Sequence, residues 1–365
     1  MSYVIWTAFV AMICGFLALD LGVFNKKDHV IGVREAMRWT AIWVTVAMGF
    51  VGVVYLLYEN RVAGFGDADG THDVLQGTEA ALLFLTGYLV EYSLSIDNIF
   101  VIALLISAFK VPRKYQHRVL FWGILGALVM RGVMIGAGTA LIRNFSWTMY
   151  LFGAILIFSA IKMAISKEDD GDDPHDSWVA RTAKKFYPLS PKFHGHDFFT
   201  TLPDGRRAMT PLLLVLLLVE STDVLFAVDS IPAVFAVTTD PFLVFTSNVF
   251  AIMGLRSLFF ALAGMLGAFH HLKYALVALM AFIGIKMLAS HYIHIAPALS
   301  LAIIAVILGV GVATSLAFPL SAEEKAAHLR RHGGGDHHDE APAEHHAESA
   351  EAPPEPADDE QGAGG

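Results

Sequence analysis

Two apolar stretches of this sequence carry the same acidic pattern. One reads Glu91-Tyr-Ser-Leu-Ser-Ile-Asp97-Asn98-Ile99, and the other reads Asp223-Val-Leu-Phe-Ala-Val-Asp229-Ser230-Ile231. Each is a carboxylate, a spacer, then Asp, a small polar residue and Ile. Glu220 adds a further carboxylate just before the second copy. A charge held deep in a bilayer costs about 3 kcal/mol on insertion scales, so acids repeated in such a setting point to a path for cations or protons. The available donors are carboxylates, hydroxyls and the Asn98 amide, with no Cys or His inside either motif. Hard oxygen sets suit Mn²⁺, Mg²⁺ and Ca²⁺, whereas thiolate and imidazole suit copper and zinc. Glu91, Asp97, Asp223 and Asp229 are therefore taken as metal ligands, with Asn98, Ser230 and Glu220 in support.

The spacing constrains how such ligands could meet. On a regular α-helix, residues six apart differ by about 240° in direction and roughly 9 Å in height. Glu91 and Asp97 then cannot share a face, nor can Asp223 and Asp229. Both helices are accordingly expected to be broken or unwound so that the acids converge. Pro232 removes a backbone donor, and Ser93, Ser95 and Asn98 can bond freed backbone groups. Clustered carboxylates also need counter-charge. Arg131, Lys162, Arg256 and Lys286 are the basic residues inside apolar stretches. They are expected either to alternate with the cation as counter-charge or to fix helix register as permanent ion pairs. Asp20 ends the first apolar run, at the cytoplasmic mouth of the path or at an interfacial helix end.

Long apolar elements must hold these motifs. The 365 residues are 55% hydrophobic with a mean hydropathy of +0.56, which indicates a polytopic membrane protein. Nine runs of transmembrane length are expected, near 3–24, 39–58, 79–109, 118–141, 146–165, 210–238, 242–267, 272–291 and 296–318. The expected fold class is all-α, a polytopic transmembrane helix bundle. With the N-terminus outside and the C-terminus cytoplasmic, 19 Lys and Arg fall on the cytoplasmic side and only Arg61 and Arg143 outside, as the positive-inside rule requires. The net charge of −9 resides beyond residue 318, where 12 acids face 3 bases. The rest is neutral and offers no basic face for nucleic acid. The lone cysteine, Cys14, cannot form an internal disulfide.

The duplication extends past the acids. Arg131 follows Asp97 by 34 residues and Arg256 follows Asp229 by 27; then Phe158-Ser-Ala-Ile-Lys162-Met163 matches Phe282-Ile-Gly-Ile-Lys286-Met287. Three helices thus recur as three more, and an odd number inverts the second unit in the membrane, a recurrent transporter plan. The expected organisation is a two-span segment with an external loop (1–78), a first repeat (79–165), and a cytoplasmic connector with an Asp204-Gly205 hairpin (166–209). A second repeat (210–291), a last span (292–318) and a disordered acidic tail (319–365) follow. The tail's His328, His332, His337, His338, His345 and His346 could hold metal weakly.

On these residues the chain resembles the TerC family of integral membrane proteins. The match runs through Val33-Arg-Glu-Ala-Met-Arg-Trp39, the Glu91–Asn98 motif, His117-Arg-Val-Leu-Phe-Trp-Gly123 and Thr210–Glu220. It continues through Phe226-Ala-Val-Asp-Ser-Ile-Pro-Ala233 and Asp240–Asn248 to Gly254-Leu-Arg256, and covers most of residues 10–318. The resemblance implies a bacterial inner-membrane protein of a family named for tellurite resistance, with members associated with manganese export and with supplying metal to secreted enzymes. It implies a fold similar to LysE-type transporters, with three-helix inverted repeats. The family's metal-associated acids fall on Glu91, Asp97, Glu220, Asp223 and Asp229. The expected function is efflux of a divalent cation, Mn²⁺ by resemblance, with coupling to protons, no fixed cofactor, and the lipid bilayer and metal ion as partners. The rival is a membrane scaffold or partner protein in a tellurite or envelope-stress response, its buried charges being structural. An enzyme is not expected, since no His-Glu-x-x-His zinc motif or nucleophile beside a base is evident.

Overall fold

A computed structural model describes residues 2–24, 32–66, 74–165, 177–202, 205–263, 272–290, 292–293 and 295–317. The chain divides into a unit Met1–Gly333 and a terminal unit Gly334–Gly365. The expected tail, the acidic loop at 67–73 and the acid run at 168–173 lie outside the described residues. The apolar runs form α1 (Ser2–Phe24), α2 (Val33–Glu59), α3 (Gly77–Ala108), α4 (Arg113–Asn144) and α5 (Thr148–Ile165). After a short helix α6 (Trp178–Phe186) and a hairpin of β1 (Phe199–Thr201) with β2 (Arg207–Met209) come α7 (Pro211–Phe235), α8 (Pro241–Met253), α9 (Leu255–Ala263), α10 (Leu272–Leu288) and α11 (Pro297–Ala317).

This is an all-helical, polytopic membrane protein with about seven candidate spans. Among the described residues, α2, α3, α4, α5, α7, α11 and the stretch Pro241–Ala261 are long and apolar enough to cross a membrane. The first of the nine expected runs forms α1, a helix of 23 residues whose apolar part among the described residues covers Tyr3–Ala18, and the eighth forms α10, of 17 residues. The seventh run is divided at Gly254 into α8 and α9. The connector holds the expected hairpin, with Leu202 N–H donating to the Arg206 carbonyl at 2.9 Å and Gly205 at φ +79°.

Local chemistry sets the ends of these helices. Thr210 and Asp240 are N-caps followed by Pro211 and Pro241 at the first helical position, where a missing N–H costs nothing. Asp240 Oδ1 accepts from the Phe242 and Leu243 N–H groups, and its Oδ2 accepts from the Tyr58 hydroxyl at 2.8 Å. That second bond fastens the end of α2 to the start of α8. Helix α3 stops in a left-handed turn at Lys110, with Lys110 N–H reaching the Ser107 carbonyl and Val111 N–H the Ile106 carbonyl.

Helix α3 and the α8–α9 pair form the centre. The apolar stretch from Pro241 to Ala261 is 88% buried, while those of α2, α5 and α11 show most of their surface outward. Such outward apolar faces are what a lipid-facing helix requires. An aromatic cluster of Phe9, Phe50, Phe84, Phe242 and Phe250 joins α1 and α2 to α3 and α8. Helices α5 and α10 approach most closely at two glycines. A Cβ on Gly284 would lie 2.9 Å from Ile157 Cδ1 and 3.2 Å from the Gly153 carbonyl oxygen; one on Gly153 would lie 2.9 Å from Leu288 Cδ2. Small residues at such crossings let backbones meet where no hydrophobic effect drives them together. Gly284→Val should therefore lower stability by about 1–3 kcal/mol through overpacking. Gly136→Ala, where no atom lies within 4 Å, should leave it unchanged. Unfolding in detergent, followed by circular dichroism, compares the two.

Candidate functional site

The two acidic motifs lie on α3 and α7, and both helices are continuous through them. The expected break is absent. Pro232 sits inside α7 only one turn from its end, so the lost backbone bond falls where the ladder is already finishing. On α3, Ser93 Oγ donates to the Leu89 carbonyl at 2.6 Å, a bond within an intact helix and not to a freed group. Ser95 Oγ donates to Glu91 Oε1 at 3.2 Å.

An unbroken helix changes which residues share a face. Residues seven apart return to nearly the same direction after two turns. Asn98 therefore follows Glu91 on one face of α3, and Ser230 follows Asp223 on one face of α7. Asp229 points elsewhere. Its Oδ1 accepts a 2.5 Å hydrogen bond from Ser159 on α5, and Lys162, one turn along α5, acts electrostatically on the same carboxylate. The side chains of Asp97, Arg256 and Asp20 lie outside the described residues.

Arg131 on α4 is the centre of the first polar cluster, and 1% of it is exposed. Its Nη1 donates to Glu91 Oε1 in a short ion pair, to Ser230 Oγ at 3.3 Å and to Asn248 Oδ1 at 3.2 Å. Its Nη2 donates to Asp223 Oδ1 at 3.2 Å. One guanidinium thus ties α3, α4, α7 and α8 together. The pairing is incomplete, because Glu91 Oε2, Asp223 Oδ2 and Asn98 Nδ2 are buried without a hydrogen-bond partner. Two carboxylates against one guanidinium leave one net negative charge.

Glu220 is half-buried, close enough to Asp223 for mutual repulsion. Its carboxylate occupies the place a Cβ would take on Gly126 of α4. The glycine at 126 makes room for an acid. Lys286 is half-buried on α10. Among the described residues, no group of three or more His, Cys, Asp and Glu is placed to hold a metal ion. The carboxylates meet in twos, at Arg131 and beside Glu220, with Asp229 apart on α7, turned towards Ser159 of α5. Asn248 and Ser159 were not anticipated. The signal for Asn248 was an amide after Thr246 and Ser247 inside an apolar run, and for Ser159 a hydroxyl one turn before Lys162.

Removing one partner of a buried ion pair leaves an uncompensated charge, which costs about 3–5 kcal/mol. Arg131→Met should destabilise the bundle by that order. Adding Glu91→Gln and Asp223→Asn should restore part of the loss, since the stranded charges are then gone. Thermal transitions of the single and triple variants in detergent test the order.

The comparisons with known proteins agree on the kind of molecule. The model of the "Integral membrane protein TerC family" matches residues 76–323. "Uncharacterized membrane protein STKORF319" of Myxococcus xanthus is 46% identical over 312 residues, 86% of this chain and 92% of that protein. A protein of Photorhabdus laumondii subsp. laumondii named "Putative membrane-bound redox modulator Alx" is 45% identical over 314 residues, 85% of this chain and 93% of the relative. One of the same name from Escherichia coli K12 is 42% identical over 304 residues, covering 82% and 90%. No solved structure matches the chain significantly.

Proposed function

The chain belongs to the TerC family of integral membrane proteins, and we propose that it exports a divalent cation, Mn²⁺, across a bacterial inner membrane. The observation that carries this reading is the meeting of Glu91 and Asp223 on Arg131, each keeping a buried oxygen without a hydrogen-bond partner. Acids from both motifs come together on one cation that belongs to the protein. Such a cluster is suited to exchange: a divalent ion entering between the carboxylates takes over the charge balance and releases the guanidinium. Asn98, Ser230 and Asn248 supply further oxygen and amide groups on the same faces, and Asp97 and Glu220 are the nearest additional acids along the motifs. Oxygen donors favour Mn²⁺, Mg²⁺ or Ca²⁺ as a class, and the choice of Mn²⁺ follows the family resemblance.

Asp229, held by Ser159 and near Lys162, is a second station on the other side of α7. Outward movement of a divalent ion against an inward-negative potential costs about 4.6 kcal/mol per 100 mV. Proton entry by a separate carboxylate would offset that cost. Helix packing supports two related halves: α3 meets α7, α5 meets α10 and α4 meets α8, while α3–α8 and α4–α7 form a matching crossed pair. The basic residues favour an outside N-terminus and a cytoplasmic connector.

A second reading has its own observation. A guanidinium with four polar partners is also what a structural rivet would look like, and a membrane scaffold in a stress response would need nothing more. The relatives' printed name refers to redox; Cys14 is the only thiol here and is exposed, so disulfide chemistry would need a second thiol from another molecule. Flux separates these readings. Purified protein in liposomes should move Mn²⁺ down an imposed gradient. Asp223→Asn, Asp97→Asn and Asp229→Asn should each slow it by at least the roughly 10–100-fold that losing a supporting metal partner costs. A folded protein that moves no Mn²⁺, or variants that transport normally at equal abundance, would reject the exporter and its ligand assignment respectively.

A further inference from the structure

The connector between α5 and α7 has a face that metal movement does not use. Helix α6 turns Val179, Ala180 and Ala183 inward, against the cluster that includes Leu212 and Val215 of α7. Trp178 at its start and Phe186 at its last position are 78% and 77% exposed. Tyr187, next in sequence to Phe186, and Phe199 of the hairpin, whose ring lies 5.4 Å from that of Tyr187, are exposed as well. Basic residues accompany these rings: residues 177–210 hold six Lys and Arg against two Asp, and Lys184, Lys185 and Arg207 are exposed. In water, a surface of large aromatic rings has no reason to be displayed. The same rings with bases among them match the interfacial zone of a bilayer.

The position of this face is set by the spanning helices. Strand β2 runs directly into Thr210, the cap of α7, and the Thr210 hydroxyl donates to the Asp197 carbonyl at 2.8 Å. Met209 N–H donates to the Pro188 carbonyl, and Ser190 N–H to the Met209 carbonyl. Phe198 packs under the Arg118 guanidinium and against Trp122, both on α4. The connector is thus pinned to the adjoining ends of α4 and α7. We propose that α6 and the hairpin form an interfacial anchor for anionic phospholipid headgroups of that leaflet, with Trp178 and Phe186 inserted at the acyl boundary and Lys184, Lys185 and Arg207 on the phosphates. This inference does not depend on which ion the protein moves.

The test uses the full chain in nanodiscs. In a Cys14→Ser background, Trp178→Cys and Phe186→Cys are each labelled with a fluorophore. Quenching by a lipid-borne nitroxide near the headgroups is compared with quenching by aqueous iodide, in discs rich in phosphatidylglycerol and in discs of phosphatidylcholine alone. Lipid quenching should dominate in the anionic discs. It should fall by about twofold or more in neutral lipid and with Lys184→Glu, Lys185→Glu and Arg207→Glu combined, as expected when several bases hold an anionic surface. Monodispersity and an unchanged thermal transition show that the reversed protein is folded. Iodide quenching that dominates in both lipids, or lipid quenching indifferent to charge, overturns the proposal. Lipid quenching that appears only after Asp169, Asp170, Asp172 and Asp173 are changed to Asn also overturns it, because the chain's own acids then cover the bases.

Discussion

Arg131 lies in the middle of a helical bundle, held by two carboxylates. In a low-dielectric interior, each of the three ions alone would be prohibitively desolvated, and their mutual attraction returns most of that cost only when the geometry is close. Glu91, Asp223, Ser230 and Asn248 supply that geometry from three helices, and Arg131 supplies the fourth. The arrangement constrains everything around it. Helices α3, α4, α7 and α8 cannot drift apart without exposing or stranding charge. Yet the cluster is one positive charge short of neutral, and two carboxylate oxygens have no hydrogen-bond partner. A cluster so nearly closed organises the bundle while its charge remains unbalanced.

The apolar runs and the acidic motifs could be read directly because both depend on local composition. Spans need only length and hydropathy, and five acids inside apolar runs stand out by their cost. The pairing of those acids could not be read, because it depends on helix phase. With the helices assumed broken, Glu91 was matched with Asp97, and Asp223 with Asp229. The continuous helices match Glu91 with Asn98 and Asp223 with Ser230, two turns on. The polar residue after each Asp therefore shares a helix face with the upstream carboxylate. Arg131 was readable as a charge partner but not as a hub, since its partners are 40 to 117 residues away. The connector's two-stranded hairpin was foreseen from Asp204-Gly205, whereas α6 has too few residues to announce itself beside a charged loop.

The same helix phase separates the polar groups into two stations. Asp223 meets Arg131 of α4, while Asp229 meets Ser159 of α5. The tight approach of α5 to α10 at Gly153 and Gly284 places a stiff wall beside the second station.

Asp240 serves two masters at the beginning of α8. One of its oxygens finishes the helix, and the other holds the phenol of Tyr58. A rocking α8 cannot drop either without leaving polar atoms stranded, so it must carry the end of α2 along, with α1 following through the phenylalanine cluster. The first two helices are thus bound to α8 through Asp240 and the phenylalanine cluster, as α4 is through Arg131 and Asn248.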